Sequence, residues 1–168
     1  MTRGKMVTLV TAALCLTAAP AMAQSKAQAS FDRMKALAGE WDGTGGNGKP
    51  THVTYRVVSN GSVLEETMNV GTEETMLTVY HLDGDRVMVT HYCAAGNQPR
   101  MVATPDPKSP NVVAFKFLDA TNLPSLETGH MRNLVLSIVD KDHVTQQWTW
   151  HEKGKEDKWD LFKLTRKR

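Results

Sequence analysis

Several side chains in this sequence are spaced so that they could do chemistry together. The run Val87-Met88-Val89-Thr90-His91-Tyr92-Cys93 is rich in β-formers, and alternation along a strand sends Val87, Val89, His91 and Cys93 to one face. An imidazole and a thiol two positions apart could share a metal ion or the polar group of a ligand. His-x-Cys is half of a zinc site, which ordinarily takes three or four protein ligands, and His130 on a later run is a candidate third ligand. The same pattern also fits a buried histidine bonded to backbone beside an inert thiol. Arg100 follows the polar turn Gly96-Asn97-Gln98. Its planar fork suits a carboxylate clamp, or these side chains tie down the turn. Trp148 and Trp150 share a face by alternation and could wall an apolar ligand cavity or fill a core. Met68, Met76, Met88 and Met101 suit an adaptable apolar pocket, and methionine is also a common gap filler.

No catalytic residue is assigned. Gly43-Thr44-Gly45-Gly46-Asn47-Gly48 is glycine-rich but lacks the Gly-Lys-Ser/Thr of a phosphate loop. Glu65-Glu66 and Glu73-Glu74 are adjacent pairs that a strand would send to opposite faces, and no nucleophile stands beside a base.

The elements that must position these residues are mostly strands. Ser25 to Ala38 reads as a short amphipathic helix, with Phe31, Met34 and Leu37 in register, Ser30 capping the apolar turn and Gly39 ending it. Ten β-rich runs follow: 40–45, 51–59, 63–70, 75–82, 86–94, 100–104, 112–118, 130–139, 143–152 and 159–165. Asn60-Gly61, Asp83-Gly84-Asp85 and Lys153-Gly154-Lys155 supply tight hairpin turns, so successive strands are antiparallel neighbours. Pro105 to Pro110 and Ala120 to Thr128 read as longer loops. Strands in up-and-down order protect their edges most economically by closing. The expected fold is therefore all-β, a single antiparallel up-and-down β-barrel of about ten strands with a short N-terminal helix.

The chain begins with a basic stretch, Met1 to Lys5, an apolar run, Met6 to Ala19, and the Ala-x-Ala site Ala21-Met22-Ala23. This is the pattern of a signal peptide over 1–23 cleaved near Ala23, leaving 24–168 as one barrel domain, periplasmic or secreted. Cys15 lacks the small preceding residue of a lipidation site. No later stretch approaches the roughly 20 apolar residues of a spanning helix. The full chain has 20 Lys and Arg against 18 Asp and Glu, and the expected signal removes Arg3 and Lys5. With charges then balanced, the field that drives nucleic-acid binding is missing, and no nucleic-acid partner is expected. Cys93 alone follows residue 23, so no internal disulfide is expected in the cleaved chain.

Gly39-Glu40-Trp41-Asp42-Gly43-Thr44-Gly45 resembles the Gly-x-Trp signature that opens the first strand of lipocalins and fatty-acid-binding proteins. Its longer form resembles the opening of nitrobindin-type haem-binding barrels. The segment from His91 to Met101 also resembles a stretch of uncharacterised secreted bacterial proteins of this calycin-like kind. The resemblance implies a helix plugging one barrel end and a basic residue of the last strand, Arg166, stacked on Trp41. The barrel reading together with these inward-capable residues leads to a binding protein for a small, largely apolar molecule, with Arg100 and His91 as its polar contacts and Trp148 and Trp150 as the wall. After Gly45 the chain continues Gly46-Asn47-Gly48-Lys49-Pro50, without the Tyr-Pro pairing of nitrobindins. Haem or a metal on His91 or His130 is accordingly the alternative, and a filled barrel acting through its surface is a third.

Overall fold

The computed structural model describes residues 24–46, 48–69 and 71–168. The expected signal segment, Asn47 and Val70 lie outside the described residues. After a helix α1 (Lys26–Lys35) come ten strands: β1 (Gly39–Thr44), β2 (Pro50–Val58), β3 (Val63–Met68), β4 (Met76–Asp83), β5 (Arg86–Tyr92), β6 (Gln98–Ala103), β7 (Val112–Thr121), β8 (His130–Ile138), β9 (His143–His151) and β10 (Lys158–Arg166). Each pairs antiparallel with the next and β10 returns to β1, closing the expected up-and-down barrel. The turn chemistry explains the order. At the β2–β3 corner, for instance, Asn60 and Gly61 adopt φ of 54° and 84°, the left-handed conformation of a tight reversal.

Closure depends on small residues in β1. Trp41 pairs with Arg166 and Gly43 with Leu164. A Cβ on Gly43 would lie 1.9 Å from the Lys163 carbonyl oxygen, so only glycine lets the first and last strands meet. The β1–β10 pairing stops at Thr44 and Lys163, and the earlier part of β10, from Lys158 to Phe162, runs on without a β1 partner. The barrel wall is thus notched there. The Gly46 backbone N–H donates to the Asp160 carboxylate across the notch.

The helix is shorter than expected and differently capped. Ser25, not Ser30, is its N-cap, its Oγ accepting from the Gln28 N–H at 3.1 Å. The buried stripe starts a turn earlier than the aromatic spacing suggested, at Ala27, and Ser30 lies within it. Nor does Gly39 end the helix. Regular helix stops at Lys35, and Gly39 opens β1 with φ of 132°. Just past the helix, Arg166 donates to the carbonyl oxygens of Ala36 (2.9 Å) and Ala38 (2.8 Å), and it also donates to that of Lys141 (3.0 Å) between β8 and β9. Its guanidinium carbon lies 4.2 Å from the Trp41 ring centroid, and the Trp41 indole donates to the Leu37 carbonyl at 2.8 Å. One arginine therefore fixes the helix as a plug over one barrel end.

Three strands exceed expectation, β10 by one residue at each end, β6 at its start and β7 at its end. β6 begins at Gln98 and includes Pro99, and β7 runs to Thr121 because Gln98 to Arg100 pair with Thr121 to Asp119. Proline is tolerated because the β5–β6 ladder ends at Thr90–Arg100, leaving Pro99 without a β5 partner.

Arg166→Ala is expected to lower stability by about 2 kcal/mol, through loss of the stacked cation and its carbonyl bonds. Arg166→Lys should recover little, because a single ammonium cannot reproduce the fork. Urea unfolding of the three proteins checks this, and a lysine variant equal to the parent would refute it.

Candidate functional site

Most of the barrel interior is occupied by its own side chains. Trp41, Tyr55, Tyr80, Phe115, Leu134 and Leu164 are among the largest fully buried side chains. At mid-barrel lies a buried polar network centred on Glu66. The Tyr80 hydroxyl donates to Glu66 Oε2 at 2.8 Å, the Gln146 amide donates to the same oxygen at 2.9 Å and to the Tyr55 hydroxyl, and the Trp148 indole donates to Gln146 Oε1 at 2.8 Å. Burial pushes the Glu66 carboxyl above its ordinary range, against the pull of these donors. Burial and the neighbouring carboxylate raise both tyrosine hydroxyls well above theirs.

Beyond the network, toward the end away from the helix, the packing is incomplete. An apolar niche of about 20 Å³ is walled by Met68, Met76, Met131, Trp148 and Phe162, with His91 the only polar side chain lining it. The register explains this convergence. Met68 lies opposite Met76 across β3 and β4, and Thr78 opposite His91 across β4 and β5, which places Met76 diagonal to His91 on the inner wall. Met131 and Trp148 come from β8 and β9 on the other side of the niche.

His91 is 3% exposed, its ring centroid 4.5 Å from that of Trp148. Its Nδ1 is bonded to the Thr78 hydroxyl at 2.9 Å, whereas Nε2 is buried without a partner. Desolvation lowers its pKa from 6.5 to about 4, so the ring is neutral at pH 7. Among the described residues the other buried side-chain atom lacking a partner is Asn97 Oδ1.

The niche shares Met131 and Trp148 with a larger cleft of about 680 Å³ at the notch, which Gly46, Trp150, Lys158 and Asp160 also line. Trp150 lies at the rim, packed so closely on Gly129 that a Cβ there would fall 2.4 Å from the indole. Trp159, 65% exposed, also lines this cleft.

The structure brings together three of the residues that the sequence singles out, His91, Trp148 and Trp150. Arg100 is elsewhere. It projects from the outer face of β6, in an ion pair with Asp119, and lines a separate hollow with Thr90, Tyr92 and Gln98. The reason is alternation: Pro99 and Met101 take the inward positions. Gln98 and Asn97 tie down the turn, through Gly96 and Thr121 and through Gly129 respectively. His130 does not line the niche. Its Nδ1 bonds the Thr128 carbonyl at 2.7 Å, and its ring lies against Phe117 and His151. Cys93 is half-buried just past β5, its thiol raised by desolvation. His91, Cys93 and His130 therefore do not form one cluster, and among the described residues no three His, Cys, Asp or Glu side chains do.

Glu66, Thr78, Gln146 and Met131 are site residues that sequence reasoning missed. Alternation of Leu64, Glu66 and Met68 on one face would have placed Glu66 inside. Haem does not fit beside His91. The niche has room for about one water-sized guest, whereas small-molecule sites ordinarily span roughly 300–1,000 Å³. By the same measure the niche cannot hold an organic ligand, and the larger open volume is the cleft it adjoins.

No family model matches the chain, and no curated protein does. Among solved structures, Rv2717c from M. tuberculosis is similar, at 13% identity with a TM-score of 0.60, over 83% of this chain and 98% of that one. At that identity the likeness bears on fold alone. The class so defined is a closed ten-stranded antiparallel barrel, plugged at one end by a helix and notched at the other.

Two buried groups give the stability opposing pH slopes. His91 is depressed in the fold, so its contribution is present above pH 6.5 and lost as pH falls through about 4. Such a shift corresponds to about 3 kcal/mol. Glu66 is raised, so its contribution is present below pH 4.5 and lost as pH rises through its folded value. His91→Gln is expected to flatten the acid-side loss and Glu66→Gln the alkaline-side loss, measured by urea unfolding from pH 4 to 8. Parallel profiles for parent and variants would refute the assignment.

Proposed function

We propose that this is an exported binding protein of calycin-like type, which takes a small, largely apolar molecule at the notched end of the barrel. Trp148 and Trp150 supply the wall, and His91 receives the ligand's one polar atom through Nε2. The observation that carries the reading is that buried, unpartnered nitrogen at the floor of an apolar niche adjoining a cleft. A buried polar atom without a bond is costly, about 1–3 kcal/mol, and a bound polar group recovers that cost. The ligand body lies in the outer cleft, since only an atom or two can enter the niche. The export part of the reading rests on the signal pattern of residues 1–23.

N-phenyl-1-naphthylamine, apolar with a single N–H, tests the binding. One molecule per chain is expected, with energy transfer from the indoles and at least tenfold weaker binding in Trp150→Ala. Saturable binding should also fail below about pH 4, where His91 gains its proton. No saturable binding, or binding indifferent to Trp150, would sink the reading.

A further inference from the structure

The niche has a donor set that an apolar organic ligand does not require. Three of its lining side chains are methionines, Met68, Met76 and Met131, and its one polar lining residue, His91, has a buried ring nitrogen, Nε2, without a partner. All are uncharged, and no carboxylate or thiolate lines the space. Its volume of about 20 Å³ suits a single ion. The Trp148 and Phe162 side chains complete the lining, Trp148 close against His91 and held in place by the bond from its indole to Gln146.

We propose that the niche binds one soft monovalent cation, Cu(I) or its analogue Ag(I), through His91 Nε2 and the three methionine sulfurs. Soft thioethers select Cu(I). A dication in a buried site without anionic ligands meets a far larger desolvation penalty, and Zn²⁺ and Mg²⁺ ordinarily take thiolate, imidazole or carboxylate donors. The tautomer is compatible: Nδ1–H donating to the Thr78 hydroxyl leaves the lone pair on Nε2. The indole face adds attraction for a cation. Binding changes no oxidation state and releases no proton, since His91 is already neutral at pH 7. The inference goes beyond the reading of the outer cleft, and a cation and the polar atom of a cleft ligand would compete for the same lone pair.

The test partitions Cu(I) anaerobically between bicinchoninate and the full chain carrying Cys93→Ser, which removes the competing thiol. One Cu(I) per chain is expected, with tryptophan quenching and affinity at least a thousandfold above that for Zn²⁺. Met68→Leu and Met76→Leu should each weaken Cu(I) binding at least tenfold while circular dichroism is unchanged. In the Cys93→Ser protein with all its methionines intact, Ag(I) should shift the methyl resonances of Met68, Met76 and Met131 and leave those of Met34, Met88 and Met101 in place, which keeps the test decisive if a leucine variant does not fold. Failure to withdraw Cu(I), equal affinity for Zn²⁺, or shifts at the wrong methionines would overturn the proposal. Probe binding without Cu(I) binding would leave the cleft reading standing and remove this one, and the reverse result would do the opposite.

Discussion

The hydrogen bond from the Trp148 indole to Gln146 organises the barrel's interior. An indole nitrogen can only donate, so the Gln146 carbonyl must face it, and the amide nitrogen must then face Glu66 and the Tyr55 hydroxyl. With Tyr80 donating to the same carboxylate, the buried acid meets donors from three strands, β4, β9 and, through Tyr55, β2. Each polar side chain has one satisfactory orientation, which fixes the register of the opposed walls as well as their packing. The same bond sets the face that Trp148 turns toward His91. The niche and cleft walls are therefore held by groups, Gln146 and Glu66 among them, that line neither.

The barrel's two ends are asymmetric for physical reasons. At one, Arg166 joins the helix carbonyls to Trp41, and the closing strands pass at a distance only Gly43 permits. At the other, β10 outruns β1 and the wall opens beside Met131 and Trp148. The largest cleft among those described lies there, next to the niche lined by His91, whose buried Nε2 has no partner. A largely filled barrel and a binding function are compatible in this arrangement, because the mouth and not the core holds the open space.

Much of the fold was legible in the sequence. Hairpin turns at Asn60-Gly61 and Gly84, alternation in β5, and the Gly-x-Trp opening led to the strand order and to the Trp41–Arg166 contact. Strand alternation likewise put His91 with Val87 and Val89, and Trp148 with Trp150. What it could not supply was which face of each strand points inward or which loops approach. Arg100 looked inward-capable, yet the inward positions of β6 belong to Pro99 and Met101. The helix ends also deceived, since the cap came from a distant arginine and not from the local glycine. Met131 joined the niche through a bulge in β8 between Met131 and Asn133, and nothing in the local pattern marks that shift.

The central claim is that the His91 nitrogen at the barrel mouth receives a ligand. Comparing the native and denatured masses of the protein purified gently from its producing cell, beside a His91→Gln variant, tests it most directly. The account predicts a reproducible excess mass on the parent protein that is lost in the variant. A bare polypeptide mass for the parent, or an adduct that survives the substitution, would contradict it.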